Sequence, residues 1–131
     1  MSKKRYIQII IFLFIALATY WTIRYKMRLY AIKKEHNHTI GFVYKVHANQ
    51  SKYSSVTVYY SYNVNSKKYY SKEQHSDMIE SNSNDFVGLK FDVLYQKSNP
   101  KNSKILINTE DYYFFDMSCP YPSSVLKKYF Y

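Results

Sequence analysis

The chain has 131 residues, of which 17 are Tyr, 8 Phe and 1 Trp, and a formal net charge of +10. That length holds one domain with an appendage and excludes most multi-domain enzymes, and 47% hydrophobic residues exclude wholesale disorder. Two Gly leave no room for a Gly-rich phosphate loop, and a single Cys leaves neither an internal disulfide nor a Cys-rich metal site.

In chain order, the first element is a short basic tail over residues 1–5, with Lys3, Lys4 and Arg5. Residues 6–23 then run without a charge from Tyr6 to Ile23. As a helix they measure about 27 Å at about 1.5 Å per residue, close to the about 30 Å hydrocarbon core of a bilayer. Tyr6 at one end and Tyr20, Trp21 and Ile23 at the other suit the two interfaces, and Arg24, Lys26 and Arg28 follow at once. The segment is expected to be a transmembrane helix whose flanking bases meet anionic headgroups, which makes the lipid bilayer the first partner. Ala16-Leu17-Ala18 also fits a signal-peptide cleavage pattern, but the apolar run continues to Ile23 and meets bases directly, as in a retained signal-anchor. Residues 1–34 hold eight bases and no acid, whereas residues 35–131 hold eleven bases and nine acids. The charge that first suggests nucleic acid therefore mostly brackets a membrane span. Three bases precede the span and five follow it, which taken literally puts the C-terminal part in the cytoplasm. Long domains cross largely regardless of charge, so both orientations stay open on this count.

Residues 24–38 read as a juxtamembrane helix and linker, with Tyr25, Leu29 and Ile32 at helical spacing and Glu35 to His38 as the junction. From Thr39 the period changes to two. Ile40, Phe42, Tyr44 and Val46 share one strand face, with Val43 an apolar exception on the other. A turn is expected over residues 49–52. Val56, Val58, Tyr60, Tyr62 and Val64 then form the inward face of a second strand, and Asn65-Ser66 occupies a two-residue hairpin turn before a return strand from Lys67 to Lys72. Residues 73–85 read as a polar loop with at most a short helix. A fourth strand carries Leu89, Phe91, Val93 and Tyr95 on one face, a turn-rich connection spans residues 96–103, and a short fifth strand runs from Lys104 to Asn108. Five short strands in residues 39–108 bury most surface as a small antiparallel barrel, OB-like or SH3-like, so the fold class is mainly β with one N-terminal membrane helix. Residues 109–131 form an aromatic tail too interrupted by acids and Pro for a second membrane helix; it is expected to pack back over the barrel rather than rest at the membrane surface.

The order Gly41-Phe42-Val43, Tyr60-Ser61-Tyr62-Asn63-Val64-Asn65 with Tyr69 and Tyr70, Val87-Gly88, Phe91-Asp92-Val93-Leu94-Tyr95 and Asn99-Pro100-Lys101-Asn102-Ser103-Lys104-Ile105 resembles the bacterial domain-of-unknown-function family 3592 (DUF3592). The likeness covers about residues 39–108, and Tyr95, Pro100 and Ser103 give its ending. It implies a small β-domain attached to one or more membrane helices of the bacterial inner membrane, usually outside the cytoplasm, with no established activity. Ser66 stands where the family commonly has a hairpin Gly, and the second membrane helix of many relatives has no counterpart here.

Catalytic and metal chemistry find little footing. His36 and His38 beside Glu35, with His47 and His75 elsewhere, lack zinc-type spacing, so no metal or other cofactor is expected. Cys119 lies in the aromatic tail without an activating charge nearby in sequence. Glu73, Asp77, Glu80 and Asp92 read as solvated surface charge, not an acid–base pair, and no catalytic residue is assigned. Tyr59, Lys67, Lys68, Tyr69 and Tyr70 form the candidate interaction surface, for a protein or glycan partner. A nucleic-acid partner is disfavoured because the domain is nearly neutral. The expectation is a non-catalytic interaction or accessory module in the bacterial envelope. The alternatives are an envelope hydrolase or metal-dependent enzyme, and a cytoplasm-facing nucleic-acid binder.

Overall fold

The computed structural model describes residues 2–49 and 55–131, so the turn expected over residues 49–52 lies, apart from Asn49, outside the described residues. Residues 1–31 and residues 32–131 form two compact units. Helix α1 (Lys3–Lys34) takes in the basic tail, the apolar run and the bases that follow as one element, since no Gly or Pro interrupts it. It is long and apolar enough to cross a membrane. The Thr19 and Thr22 hydroxyls donate to the Ile15 and Ala18 carbonyls at 2.8 and 3.0 Å, which satisfies both within the helix.

In the second unit five strands make one antiparallel sheet in the order β3-β2-β1-β4-β5. The strands are β1 (His36–Asn49), β2 (Ser55–Val64), β3 (Lys67–His75), β4 (Lys90–Gln96) and β5 (Asn99–Leu106). The sheet curls into a nearly closed barrel, and its order matches the OB-like alternative, a partly open five-stranded Greek-key barrel. Among the described residues no backbone ladder joins β3 to β5. The ion pair of Lys104 on β5 with Glu73 on β3, at 3.5 Å, crosses that seam, and β2 also reaches β5: Tyr60 Oη and Ser103 Oγ are 2.9 Å apart, and Tyr62 Oη donates to the Pro100 carbonyl at 2.7 Å.

The inward faces supply the core: Val56, Val58, Tyr60 and Tyr62 from β2, Phe91 and Val93 from β4, Ile105 from β5. β1 departs from its expected face. Gly41 and Val43 point into the core, whereas Ile40, Phe42 and Tyr44 are exposed. A bulge between Val43 and Lys45 then shifts the phase, so Val46, four residues beyond Phe42, packs against the core. Period-two alternation had apolar residues on both faces here, and only close packing decides between them: a Cβ on Gly41 would sit 2.5 Å from Val93 Cγ2.

Other boundaries also move. β1 starts at His36, inside the expected junction, because Glu35 is held by the β4–β5 turn: Lys97 N donates to its carbonyl at 3.0 Å, and Gln96 and Ser98 donate to its carboxylate. β3 runs to His75, and the expected polar loop holds a 3-10 turn over Glu80–Phe86. The connection expected over residues 96–103 is instead a tight turn leading into β5, with Pro100 inside the strand. Pro is tolerated there because β5 is the last strand of the sheet, where its missing N–H costs no ladder bond. At the β2–β3 hairpin Asn65 and Ser66 have φ of 49° and 66°, the doubly left-handed turn that matches strand twist.

The aromatic tail packs back on the barrel. Helix α2 (Thr109–Phe114) starts at a capping box in which Asn108 and Asp111 each bind the other's backbone N–H. It lays Tyr112, with Phe115 just beyond, on Leu94, Leu106 and Ile32, a second buried cluster. At about 1.5–3 kcal/mol for each fully buried large side chain, these two aromatics fasten the helix. After the short helix α3 (Ser123–Leu126), Ile79 N donates to the Tyr129 carbonyl at 2.7 Å and Tyr131 N to that of Asp77 at 2.9 Å. This seats Phe130 against Met78 at the barrel end.

Candidate interaction surface

The outward face of β1, β2 and β3 follows from the register just given. Phe42, Ser61 and Tyr70 lie side by side across the three strands, as do Lys45, Tyr59 and Lys72. Phe42, Tyr44 and Tyr70 are 42%, 40% and 65% exposed, yet Ser61 in register between two of them is buried. The rings contact one another: Tyr44 is 5.9 Å from Tyr70 in edge geometry and 6.3 Å from Tyr59. Lys45 Nζ stands 5.1 Å from the Tyr59 ring centre and Lys68 Nζ 5.6 Å from that of Tyr70. Each such cation–π contact at an exposed site contributes about 0.5–1 kcal/mol.

The residues expected to form the surface are divided by the strand pleat. Tyr59, Lys68 and Tyr70 share this outward face. Tyr69 points the other way, half-buried and stacked 5.6 Å from Tyr62, with Lys67 Nζ 5.3 Å from its ring. Sequence reasoning missed Phe42 and Tyr44, which it had assigned to a core face. It also missed a pocket of about 490 Å³ at the same face, lined by Asn49, Thr57, Tyr59, Lys72 and Gln74. The alternation of β2 and β3, carried through their shared hairpin turn, contained the signal for four of these five lining residues, Thr57, Tyr59, Lys72 and Gln74.

On α1, Tyr6, Tyr20, Trp21 and Ile23 are exposed, and Arg24 Nη1 donates to the Tyr20 hydroxyl at 3.2 Å. The flanking Lys3, Lys4, Arg5, Arg24, Lys26 and Arg28 lie on the same continuous helix.

Several of the remaining titratable groups go into structural links. Glu73 is buried, contrary to its expected place on a solvated surface, and pairs with Lys104, which also lies 3.4 Å from Asp111. Asp92 accepts from Tyr112 at 2.6 Å and pairs with His38 at 2.6 Å. Partial burial raises the Asp92 carboxyl, but those two hydrogen bonds outweigh it and hold the group below the usual carboxylate range. Burial pushes the His75 imidazole down from its ordinary value; its Nδ1 is 3.9 Å from Asp77, and its Nε2 has no hydrogen-bond partner among the described residues. His36 contacts the Ile32 carbonyl, His47 is exposed, and Cys119 Sγ is 3.9 Å from the Tyr121 carbonyl. Among the described residues no three His, Cys, Asp or Glu side chains come together as a metal site. No family model, curated protein or solved structure matches the chain.

Proposed function

We propose that the chain is a single-pass membrane protein whose barrel is a non-catalytic interaction module, a DUF3592-like domain of the bacterial envelope that lies outside the cytoplasm. The observation that carries this reading is the outward aromatic and lysine face of β1, β2 and β3. Phe42, Tyr44 and Tyr70 are exposed, and Tyr44 and Tyr70 are in ring contact, so this face carries a cluster of aromatics of the kind that marks binding surfaces. Tyr and the stems of Lys68 and Lys72 offer large contact area with polar tips, the composition of recognition surfaces. The partner is a protein or glycan on the same side of the bilayer.

A photo-crosslinking side chain placed at Tyr70 in cells tests this, with one at the exposed Lys101 of β5 as control. A discrete product from Tyr70 and none from Lys101 is expected; identical patterns from both sites refute the assignment of the face. Sidedness is read by labelling Cys119, the single thiol, with a membrane-impermeant maleimide in intact cells beside a denatured control. Protection in cells whose outer layers have been opened, with labelling once the inner membrane is breached, refutes the extracytoplasmic placement.

A further inference from the structure

Resting on the reading of the barrel as an interaction module, we infer that the pocket bounded by Asn49, Thr57, Tyr59, Lys72 and Gln74 binds an acidic carbohydrate, a sugar ring that carries a carboxylate or phosphate. Its volume of about 490 Å³ lies within the range of small-molecule sites and suits one or two sugar rings. The lining is polar apart from one aromatic wall. A sugar presents an apolar C–H face and a rim of hydroxyls that both donate and accept, and the pocket offers a counterpart to each.

The amides are pre-set by a buried hydroxyl. Ser55 Oγ accepts from Asn49 Nδ2 at 3.0 Å and from Gln74 Nε2 at 2.9 Å, and Asn49 Nδ2 also reaches Thr57 Oγ1 at 3.2 Å. Both amides thus have their N–H ends tethered, which presents their carbonyl oxygens as acceptors for ligand hydroxyls. Lys72 supplies the opposite polarity; among the described residues it has no ion-pair partner. Register sets Lys72 on one side of Tyr59 and Lys45 on the other, so the aromatic wall stands between two lysine positions, with Lys45 Nζ 5.1 Å from the ring centre. Among the described residues no carboxylate lines the pocket, which leaves a cationic ligand without a counter-charge and favours an anionic one.

A phosphodiester strand fits less well. Affinity for nucleic acid rises with the number of phosphates neutralised, and residues 35–131 hold eleven bases against nine acids. The two amide oxygens would also meet phosphate oxygens acceptor to acceptor. An apolar peptide would bury the Lys72 ammonium and the two amide carbonyl oxygens and offer them no hydrogen bonds.

The test uses the full chain in a detergent without sugar groups, with saturation-transfer NMR reading the ring protons of each ligand. The probes are a glucuronic-acid disaccharide, its neutral glucose counterpart, inorganic phosphate as competitor and a single-stranded thymidine oligonucleotide, all at one ionic strength. Transfer to the acidic disaccharide is expected, with the neutral one at least fivefold weaker. Lys72→Gln, a surface change, lowers the acidic ligand to the neutral level, and Tyr59→Ala weakens both at least tenfold with the near-ultraviolet circular dichroism of the barrel retained. No transfer to either disaccharide, an unchanged acidic preference in Lys72→Gln, full displacement by phosphate at equal concentration, or tighter binding of the oligonucleotide each overturns the assignment. If Tyr70 crosslinks a partner while neither sugar binds, the module stands and the carbohydrate site falls; if the sugar binds and Tyr70 crosslinks nothing, the reverse holds for the protein-facing role.

Discussion

Replacing Gly41 with Ala tests the packing that set the faces of β1. The added Cβ would lie 2.5 Å from Val93 Cγ2, about 1 Å inside ordinary contact, with the Ser61 carbonyl at 3.5 Å and the Tyr60 ring at 3.6 Å closing the other sides. Val93 is fully buried and β-branched, so it cannot turn away without leaving its rotamer, and β1 cannot move out because it is hydrogen-bonded on both sides. Overpacking of this kind costs about 1–3 kcal/mol, and the lower entropy of an unfolded Ala chain offsets about 0.4–1 kcal/mol of it. A net loss of about 1–2 kcal/mol is expected, read as a lower urea midpoint from the near-ultraviolet circular dichroism of the Tyr-rich barrel. The decisive variant is Gly41→Ala combined with Val93→Ala. Removing the Val93 side chain alone opens a cavity and destabilises, but it also clears the space that the new methyl group on β1 needs, so the double variant should be more stable than the two single losses added together by about 1 kcal/mol. Additivity within about 0.5 kcal/mol, or no loss for Gly41→Ala alone, would refute the close approach of β1 to β4.

Ser66→Gly should stabilise the barrel by about 0.5–1 kcal/mol, because Ser66 holds φ of 66° at a strain of about 1–2 kcal/mol that Gly avoids, less the extra freedom of Gly in the unfolded chain; thermal unfolding checks it. Lys104→Met removes the ammonium that pairs with the buried Glu73 and should cost about 3–5 kcal/mol, part of which Glu73→Gln in the same chain restores; chemical denaturation of the single and double variants reads the difference. Burial makes His75 resist protonation when folded, and Lys104 adds to this against the opposing pull of Asp111, Glu73 and Asp77, so near its ordinary value of 6.5 the unfolded chain takes up a proton that the barrel refuses. Its contribution to stability is therefore full above that value and falls as pH drops toward the lower folded value. The urea midpoint should decline over this interval in the natural chain and decline less in His75→Gln.

Much of the architecture was legible from local chemistry. The charge-free run with bases at both ends gave α1, and the alternation Val56, Val58, Tyr60, Tyr62, Val64 gave the core face of β2 without ambiguity, since its intervening residues are polar or half-buried. β1 was read inside out because Ile40, Phe42 and Tyr44 are larger and more apolar than Gly41 and Val43, and hydrophobicity cannot sense that a neighbouring Val93 fills the space of a missing side chain. The start of β5 was hidden by turn-type residues from Asn99 to Ser103, which an edge strand accepts and a central one would not. The burial of Glu73 depends on a lysine in a strand that follows much later in the chain, a pairing no local pattern contains. The tail helix was not read from the sequence, although Asn108 and Asp111, which cap it, lie three residues apart.

Four backbone ladders hold the barrel, and among the described residues none joins β3 to β5, which gives the barrel a built-in weak side. Separating β3 from β5 breaks no row of amide hydrogen bonds, whereas parting any other neighbours breaks one. Amide deuteration should therefore spread inward from these two strands and reach β1, bonded on both flanks, last. The seam also lets β3, the strand that presents Tyr70 and Lys72, shift its rings to suit a guest while the centre of the sheet stays fixed.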